Sequence, residues 1–588
     1  MNDKSILIVG AGPAGLAAAH ALITRGVRPL VLEQADTVGG LARTETYKGY
    51  SFDIGGHRFF TKIERIDRLW REMLGEDFLT VPRLSRIYYR GRFFDYPLSF
   101  LNALTNLGVI ESALILLSYL KSQVTPHRVE ETFEQWVSNR FGRRLYRTFF
   151  KTYTEKVWGM PCHAIRADWA AQRIKGLSLF AAVANALLVK QRAKSLISEF
   201  SYPLRGPGLM WHRFEGAINA GGGKVQLKSE VVSIAHAHGH LRCVVSKNGN
   251  ETVEIPVGHV ISSMPVTRLV ARLSPKPPEA VLAAAGRLSY RAFIIVGLIV
   301  DKQDLFPDQW IYVHSPDVKV GRIQNFKNWS AAMVPDARKT SVGMEYFCTE
   351  GDAIWTMSNA ALIDMAAREL STLGLARTDD VTDGLVVRQP HAYPVYDNDY
   401  SAHLTVIRNF LGRFDNLQSI GRNGMHRYNN MDHSMLTGML AAQNLGGDRH
   451  NLWQVNEEEA YLEEDRKARE RRRHLEDVLV RSFARIDKLA LASAVGSVAG
   501  LLIFLATMWL VVKGGAVVGP NLQLLGQYFT GYTVSVKGAF IAFGYSFFWG
   551  FLFGWLFAYL RNFLLAYYLY RVKKRAELLT FKDFFDHY

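Results

Sequence analysis

Cysteine is scarce in this 588-residue chain: Cys162, Cys243 and Cys348 lie far apart and are odd in number. That excludes a disulfide framework and any Cys-x-x-Cys metal or redox site, and no metal centre is expected. Nothing at the start reads as a signal peptide, because the apolar run at Ile6 leads directly into a glycine turn. The body is therefore expected in the cytoplasm. Two stretches lack charge altogether. Leu489 to Val512 is 24 residues bounded by Lys488 and Lys513, and Gly538 to Leu560 is 23 residues bounded by Lys537 and Arg561. Segments 514–536 between them are also uncharged. A buried core helix seldom runs that long without a charge, whereas about 20 apolar residues cross a bilayer.

Positive charge is plentiful, with 70 Lys and Arg against 54 Asp and Glu, giving a net +16. Nine of the basic residues fall between Arg466 and Lys488, just before the first uncharged stretch. Beside such a stretch a basic block sets topology or meets anionic lipid, so membrane lipid is the expected partner rather than nucleic acid. The positive-inside rule puts both termini and the body of the chain on the cytoplasmic side of a bacterial-type inner membrane, with two spans. Gly496-xxx-Gly500 and Gly550-xxx-Gly554 offer small faces for packing the spans against each other or against a second subunit in a homodimer.

The stretch Ile6 to Gly15 is an apolar strand, then Gly10, Gly12, Pro13, Ala14 and Gly15 in G-x-G-x-x-G spacing, then a helical run. Such a turn cradles a pyrophosphate at a helix N-terminus. Val27 to Leu32 reads as a second strand ending in Glu33 and Gln34, about where a ribose-binding carboxylate is needed. Alone, the turn suits NAD or FAD equally.

Further along come Gly39-Gly40-Leu41-Ala42-Arg43 and Asp53-Ile54-Gly55-Gly56-His57. With the dinucleotide turn and Glu33, they resemble the FAD-binding superfamily of amine oxidases, protoporphyrinogen oxidase and phytoene desaturases. The resemblance implies FAD, with Gly40 to Arg43 and Gly55 to His57 along the cofactor. It also implies Val231 or Val232 under the adenine, and Val232 is chosen. Tyr153-Thr-Glu-Lys-Val-Trp158-Gly and Gly421-Arg422-x-Gly-x-x-x-Tyr428 followed by Met431-Asp432-His433-Ser434 narrow it. Together with Gly55-Gly56-His57, these resemble UDP-galactopyranose mutase over residues 1 to about 447.

That resemblance implies a redox-neutral exchange of pyranose and furanose through a flavin N5–sugar adduct. Catalytic roles fall to His57, Arg322, Arg422, Tyr393 and Tyr428, the two arginines holding the substrate's phosphates. Arg205, Trp158, Tyr153, Asn325 and Tyr396 are placed at the substrate, and Gly421, Arg422 and Met431 to Ser434 at the flavin. Reduced FAD is the active form, with NAD(P)H as a candidate reductant. The sugar donor is UDP-galactose or a polyprenyl-phosphate-linked galactose for cell-surface glycan synthesis. Two other functions stay open: a membrane-associated FAD oxidoreductase acting on a polyprenoid, carotenoid or amine, and a flavin-fold partner of a membrane glycosyltransferase.

The expected fold is α/β. A discontinuous Rossmann-like FAD-binding domain (1–61, 201–290, 405–447) carries a mainly helical cap (62–200) and an antiparallel-sheet substrate domain (291–404). A basic amphipathic helical linker (448–487) leads to a two-helix transmembrane anchor and basic tail (488–588).

Overall fold

The strand Ile6–Val9 is apolar throughout, and parallel neighbours cover it on both sides. In the computed structural model, which describes residues 5–96, 100–167, 199–397, 399–456, 487–515 and 518–585, it is the centre of a five-stranded parallel sheet. The strand order is Leu417–Ser419, His259–Ser262, Ile6–Val9, Leu30–Leu32, Lys224–Gln226. Parallel strands need covered faces. Here the helix Pro13–Ile23 supplies one cover, packed against Met431–Leu445. The two helices approach so closely that a Cβ on Gly438 would lie 2.1 Å from the Ala14 carbonyl. This contact fixes the start of the late helix beside the opening glycine turn.

A seven-stranded sheet forms the second layer, in the order Val381–Pro394, Tyr290–Val300, Thr340–Cys348, Arg322–Asn325, Trp310–Val313, Ser85–Tyr89, Arg92–Asp95. It is mixed rather than purely antiparallel, because Trp310–Val313 pairs in parallel with Ser85–Tyr89. The described part of segment 62–200 contains strands as well as helices, and residues 168–198 lie outside the described residues. Its aromatic-rich part supplies two strands to this sheet, and Phe78–Pro82 pairs with Glu199–Pro203. Its described helices include Glu64–Leu74, Phe100–Leu107, Val109–Val124, Phe133–Phe141 and a π-helical turn at Tyr146–Lys151 running into Thr152–Trp158. Most of the expected linker, 457–486, lies outside the described residues.

Residues Arg466–Tyr588 form a separate compact unit. In it the helices Lys488–Lys513 and Val536–Phe585 pack together, the second being apolar over Val536–Phe563. The small faces meet each other: a Cβ on Gly550 would lie 3.0 Å from the Gly496 Cα, and one on Gly554 2.9 Å from the Ala492 Cα. Both helices are long and apolar enough to cross a membrane.

One buried carboxyl joins two short strand pairs, Thr44–Tyr47 with Tyr50–Asp53 and Phe78–Pro82 with Glu199–Pro203. Asp53 ends the strand Tyr50–Asp53 and accepts from Thr44 Oγ1 at 2.8 Å and from the Tyr202 hydroxyl. Burial pushes its pKa up to about 7, against the lowering effect of those two donors. A carboxyl whose folded pKa exceeds its unfolded value contributes stability that is full below the unfolded value and lost as pH rises through the folded one. This displacement corresponds to ~4 kcal/mol at most. Raising pH from 4 to 7.5 should therefore lower the urea midpoint of the unsubstituted protein more steeply than that of Asp53→Asn. Parallel pH profiles would contradict the assignment.

Candidate functional site

The glycine turn is sterically committed. Gly10 has φ +99°, and a Cβ there would fall 2.2 Å from Ser263 Oγ. Gly15 sits inside the helix, where a Cβ would strike the Gly10 carbonyl at 1.9 Å. It packs the turn and does not line the cavity, whereas Gly10, Gly12, Pro13 and Ala14 do. Strand pairing brings Glu33 beside the turn. Its carboxylate accepts from the Ala11 N–H at 2.7 Å and the Ala35 N–H at 2.9 Å, which aims it along the groove. Gln34 follows it into the lining.

From there the groove runs past the short helical turn Gly40–Ala42, including Leu41. It continues past Arg43, which donates to Glu45 Oε1 at 2.6 Å and to Gln389 Oε1 at 3.2 Å. It reaches Gly55, Gly56 and His57, then Gly421 and the first turn of Met431–Leu445, where Met431, Asp432, His433 and Ser434 all line it. A helix N-terminus at this point favours negative charge on whatever lies against it.

Beyond the second glycine pair, five predicted catalytic side chains converge. Arg322 and Glu345 are cross-strand neighbours, and the guanidinium lies 2.6 Å from Glu345 Oε2. Burial opposes that charge, but Glu345 and the nearby Tyr393 and Tyr153 hold Arg322 firmly protonated. Arg422 donates to the backbone carbonyls of Asn429 (2.9 Å) and Ala392 (3.2 Å). Its guanidinium lies 4.5 Å from the Tyr428 ring centroid and 5.7 Å from that of Tyr393. Those two rings stack at 5.7 Å and 17°. His57 lies near both arginines. Burial first, then Arg422 and Arg322, bring its pKa down to about 3, so it is neutral at physiological pH. Its Nδ1 faces the Gly55 carbonyl at 3.0 Å. Nδ1 therefore carries the hydrogen, and Nε2 is left as an acceptor.

Of the predicted substrate residues, Tyr153, Trp158 and Tyr396 line the same cavity. Tyr153 stacks on His314 at 4.8 Å, and Tyr396 accepts from the Tyr428 N–H at 2.6 Å. Three placements need correction. Arg205 is exposed on a turn outside the lining. Asn325 is buried behind the sheet, its amide donating to the Phe306 carbonyl at 3.1 Å. Val231, not Val232, lines the groove, because the strand shifts register between Val231 and Ser233.

Sequence reasoning missed Glu345, Trp310, Tyr312 and His314. Glu345 accepts from Arg322, from Gln324 and from the Gly56 N–H, so it ties the glycine pair to the sheet. A lone glutamate inside the apolar run Val342–Phe347 was the available signal. Trp310, Tyr312 and His314 alternate along one strand and its extension, so all three face the cavity.

The whole cavity is about 1850 Å³, above the ~300–1,000 Å³ typical of a single small-molecule site. It has room for a dinucleotide and a second ligand. The Gly10 turn, the fixed Glu33 carboxylate and the helix N-terminus at Met431 fit an FAD's pyrophosphate, ribose and flavin ring in turn. No His, Cys, Asp or Glu cluster suited to a metal occurs among the described residues.

Comparisons with known proteins agree with this geometry. A probable UDP-galactopyranose mutase of Klebsiella pneumoniae is 30% identical over 179 residues, 27% of this chain and 42% of that protein. A putrescine oxidase of Kocuria rosea is 44% identical over 54 residues, 9% of this chain and 11% of its own. The chain thus spans under half the length of these curated relatives. Among solved structures, a reduced UDP-galactopyranose mutase superposes with TM-score 0.69 at 22% identity, covering 77% of this chain and 98% of the other. A putative protoporphyrinogen oxidase from Exiguobacterium sp. gives 0.58 at 17%, covering 76% and 100%. Residues 13–426 match the family described as flavin containing amine oxidoreductase, and the chain belongs to it.

Proposed function

We propose that this flavoenzyme interconverts the pyranose and furanose forms of a phosphate-activated hexose, a galactose in the first instance, for cell-surface glycan synthesis. One observation carries the reading: Arg322 and Arg422 converge with the stacked pair Tyr393 and Tyr428 over Gly55-Gly56. Reduced FAD, when bound, would supply a nucleophile able to displace phosphate from the anomeric carbon and leave again, without net redox change. The protein's part is electrostatic and positional. Charge grows on the phosphate as the sugar bond breaks, and Arg422, already held by two carbonyls, meets it without reorganisation. Arg322 adds a second cation, fixed by Glu345. Tyr393 and Tyr428 present hydroxyl-bearing rings to the sugar, and neutral His57 offers an acceptor beside the glycine pair. An amine substrate carries positive charge and would be repelled by Arg422, which disfavours the oxidase alternative.

The two apolar C-terminal helices, with nine basic residues ahead of the first, support anchoring of a cytoplasmic body on the inner face of a membrane. NAD(P)H is a candidate reductant, and a second copy or a membrane glycosyltransferase a candidate partner.

The test is direct. Purified, FAD-loaded and dithionite-reduced protein is incubated with UDP-galactose and with polyprenyl-phosphate galactose, and the ring forms are separated by chromatography. Ring interconversion with either donor, without net flavin oxidation, is expected. Stoichiometric oxidation of an amine or polyprenoid, with neither donor converted, would overturn the reading.

A further inference from the structure

The cavity does not end at the arginine–tyrosine cluster. Tyr312 lies directly across the strand pair from Arg322. His314, two residues on and thus ~7 Å further along, has its ring 6.5 Å from Phe149 of the helical layer. Past that point the wall is built by the helices Phe100–Leu107, Val109–Val124 and Phe133–Phe141 and the turn after them, and it is almost wholly apolar. Leu107, Ile115, Leu116, Phe133, Phe141 and Leu145 are representative of it. Among the described lining residues between 103 and 150 the one polar side chain is Ser112, its hydroxyl spent on the Gly108 carbonyl at 2.8 Å, while Thr154 and Arg166 add polar groups to the cavity wall beside this stretch. A nucleobase placed here would leave its donors and acceptors unmatched. A hydrocarbon chain would match the surface.

The same helix is apolar on its far side. Ile110, Leu117 and Val124 recur every seventh residue and are 80%, 62% and 81% exposed. One face of Val109–Val124 therefore lines the lobe while the other is suited to lipid, so a chain from a bilayer has a continuous apolar surface leading inward.

We propose that the lobe holds the hydrocarbon chain of the substrate's carrier, so the sugar arrives on an isoprenoid-type lipid phosphate rather than on a nucleotide. The phosphate would lie between Arg322 and Arg422, the sugar toward Tyr393 and Tyr428, and the chain past Tyr312 and beyond His314. The assignment rests on the mutase reading for its sugar end alone, since the lobe's shape and chemistry stand without it.

The test uses full-length, FAD-loaded protein in lipid nanodiscs and sugar-free probes, so that it is independent of the ring reaction. Binding of isopentenyl, geranyl and farnesyl phosphates and of UDP is followed by the change in flavin fluorescence. A buried methylene is worth ~4-fold in affinity, and partial burial should still give at least ~10-fold tightening from geranyl to farnesyl phosphate. UDP should bind more weakly than farnesyl phosphate. Ala113→Trp and Leu116→Trp, which fill the lobe, should flatten the chain-length dependence with flavin content unchanged. If these variants do not fold, the chain-length series on the unsubstituted protein decides. UDP binding tighter than farnesyl phosphate, or affinity indifferent to chain length, would overturn the inference. Conversion of UDP-galactose alongside either result would leave the mutase reading standing. Failure of the ring reaction with chain-length dependence intact would remove that reading and keep the lobe.

Discussion

Arg422→Ala is expected to lower kcat/KM for ring interconversion by ~10²–10³-fold, the usual cost of removing one preorganised charge-stabilising donor. The expectation follows from how the guanidinium is held. Two backbone carbonyls and the face of Tyr428 fix it, so its charge is in place before the phosphate develops negative charge. Flavin should still bind, because the pyrophosphate turn and Glu33 lie at the other end of the groove from Arg422. Arg422→Lys should recover little, since an ammonium cannot reproduce both the planar stacking and the two-carbonyl grip. Rates measured per bound flavin make the comparison. A variant with near-normal rates would show that the phosphate lies elsewhere.

Glu345→Ala is expected to cost ~3–5 kcal/mol of stability, because it strands a buried guanidinium without its counter-charge. The loss also removes the acceptor that binds the Gly56 N–H, so flavin release should begin at a lower denaturant concentration. The double variant Arg322→Leu/Glu345→Leu separates stability from function. Replacing a whole buried ion pair by apolar side chains is often neutral, so most of the denaturation midpoint should return while ring interconversion stays lost. If activity returned with stability, Arg322 would be a structural cation with no part in substrate binding.

Some of this was legible in the sequence because it is local. The Gly10-x-Gly12 turn, the acidic residue that follows and the Arg422 to Ser434 segment are short-range patterns, and each falls on the cavity wall. What misled was orientation. Arg205 sits in a motif-like turn, yet nothing in its neighbours reveals that the turn faces solvent. Val231 and Val232 could not be told apart because a bulge breaks the alternation that decides which face a strand residue takes. Asn325 starts a helical turn that interrupts the expected long strand, and its side chain is used there. The lobe was invisible for another reason. Its wall is assembled from four segments whose individual patterns read only as amphipathic helices.

The order of strands in the parallel sheet has a consequence for biosynthesis. Its first strand is Ile6–Val9, and the edge strand beside His259–Ser262 is Leu417–Ser419. At ~5–20 residues per second, roughly 20–80 s separate the emergence of these two strands from the ribosome. Over the last roughly 8–31 s of that interval, once His259–Ser262 has emerged, its edge is unpaired, and the helix start that completes the flavin groove does not yet exist. The nascent chain therefore presents an unpaired strand edge before any cofactor can stabilise the groove.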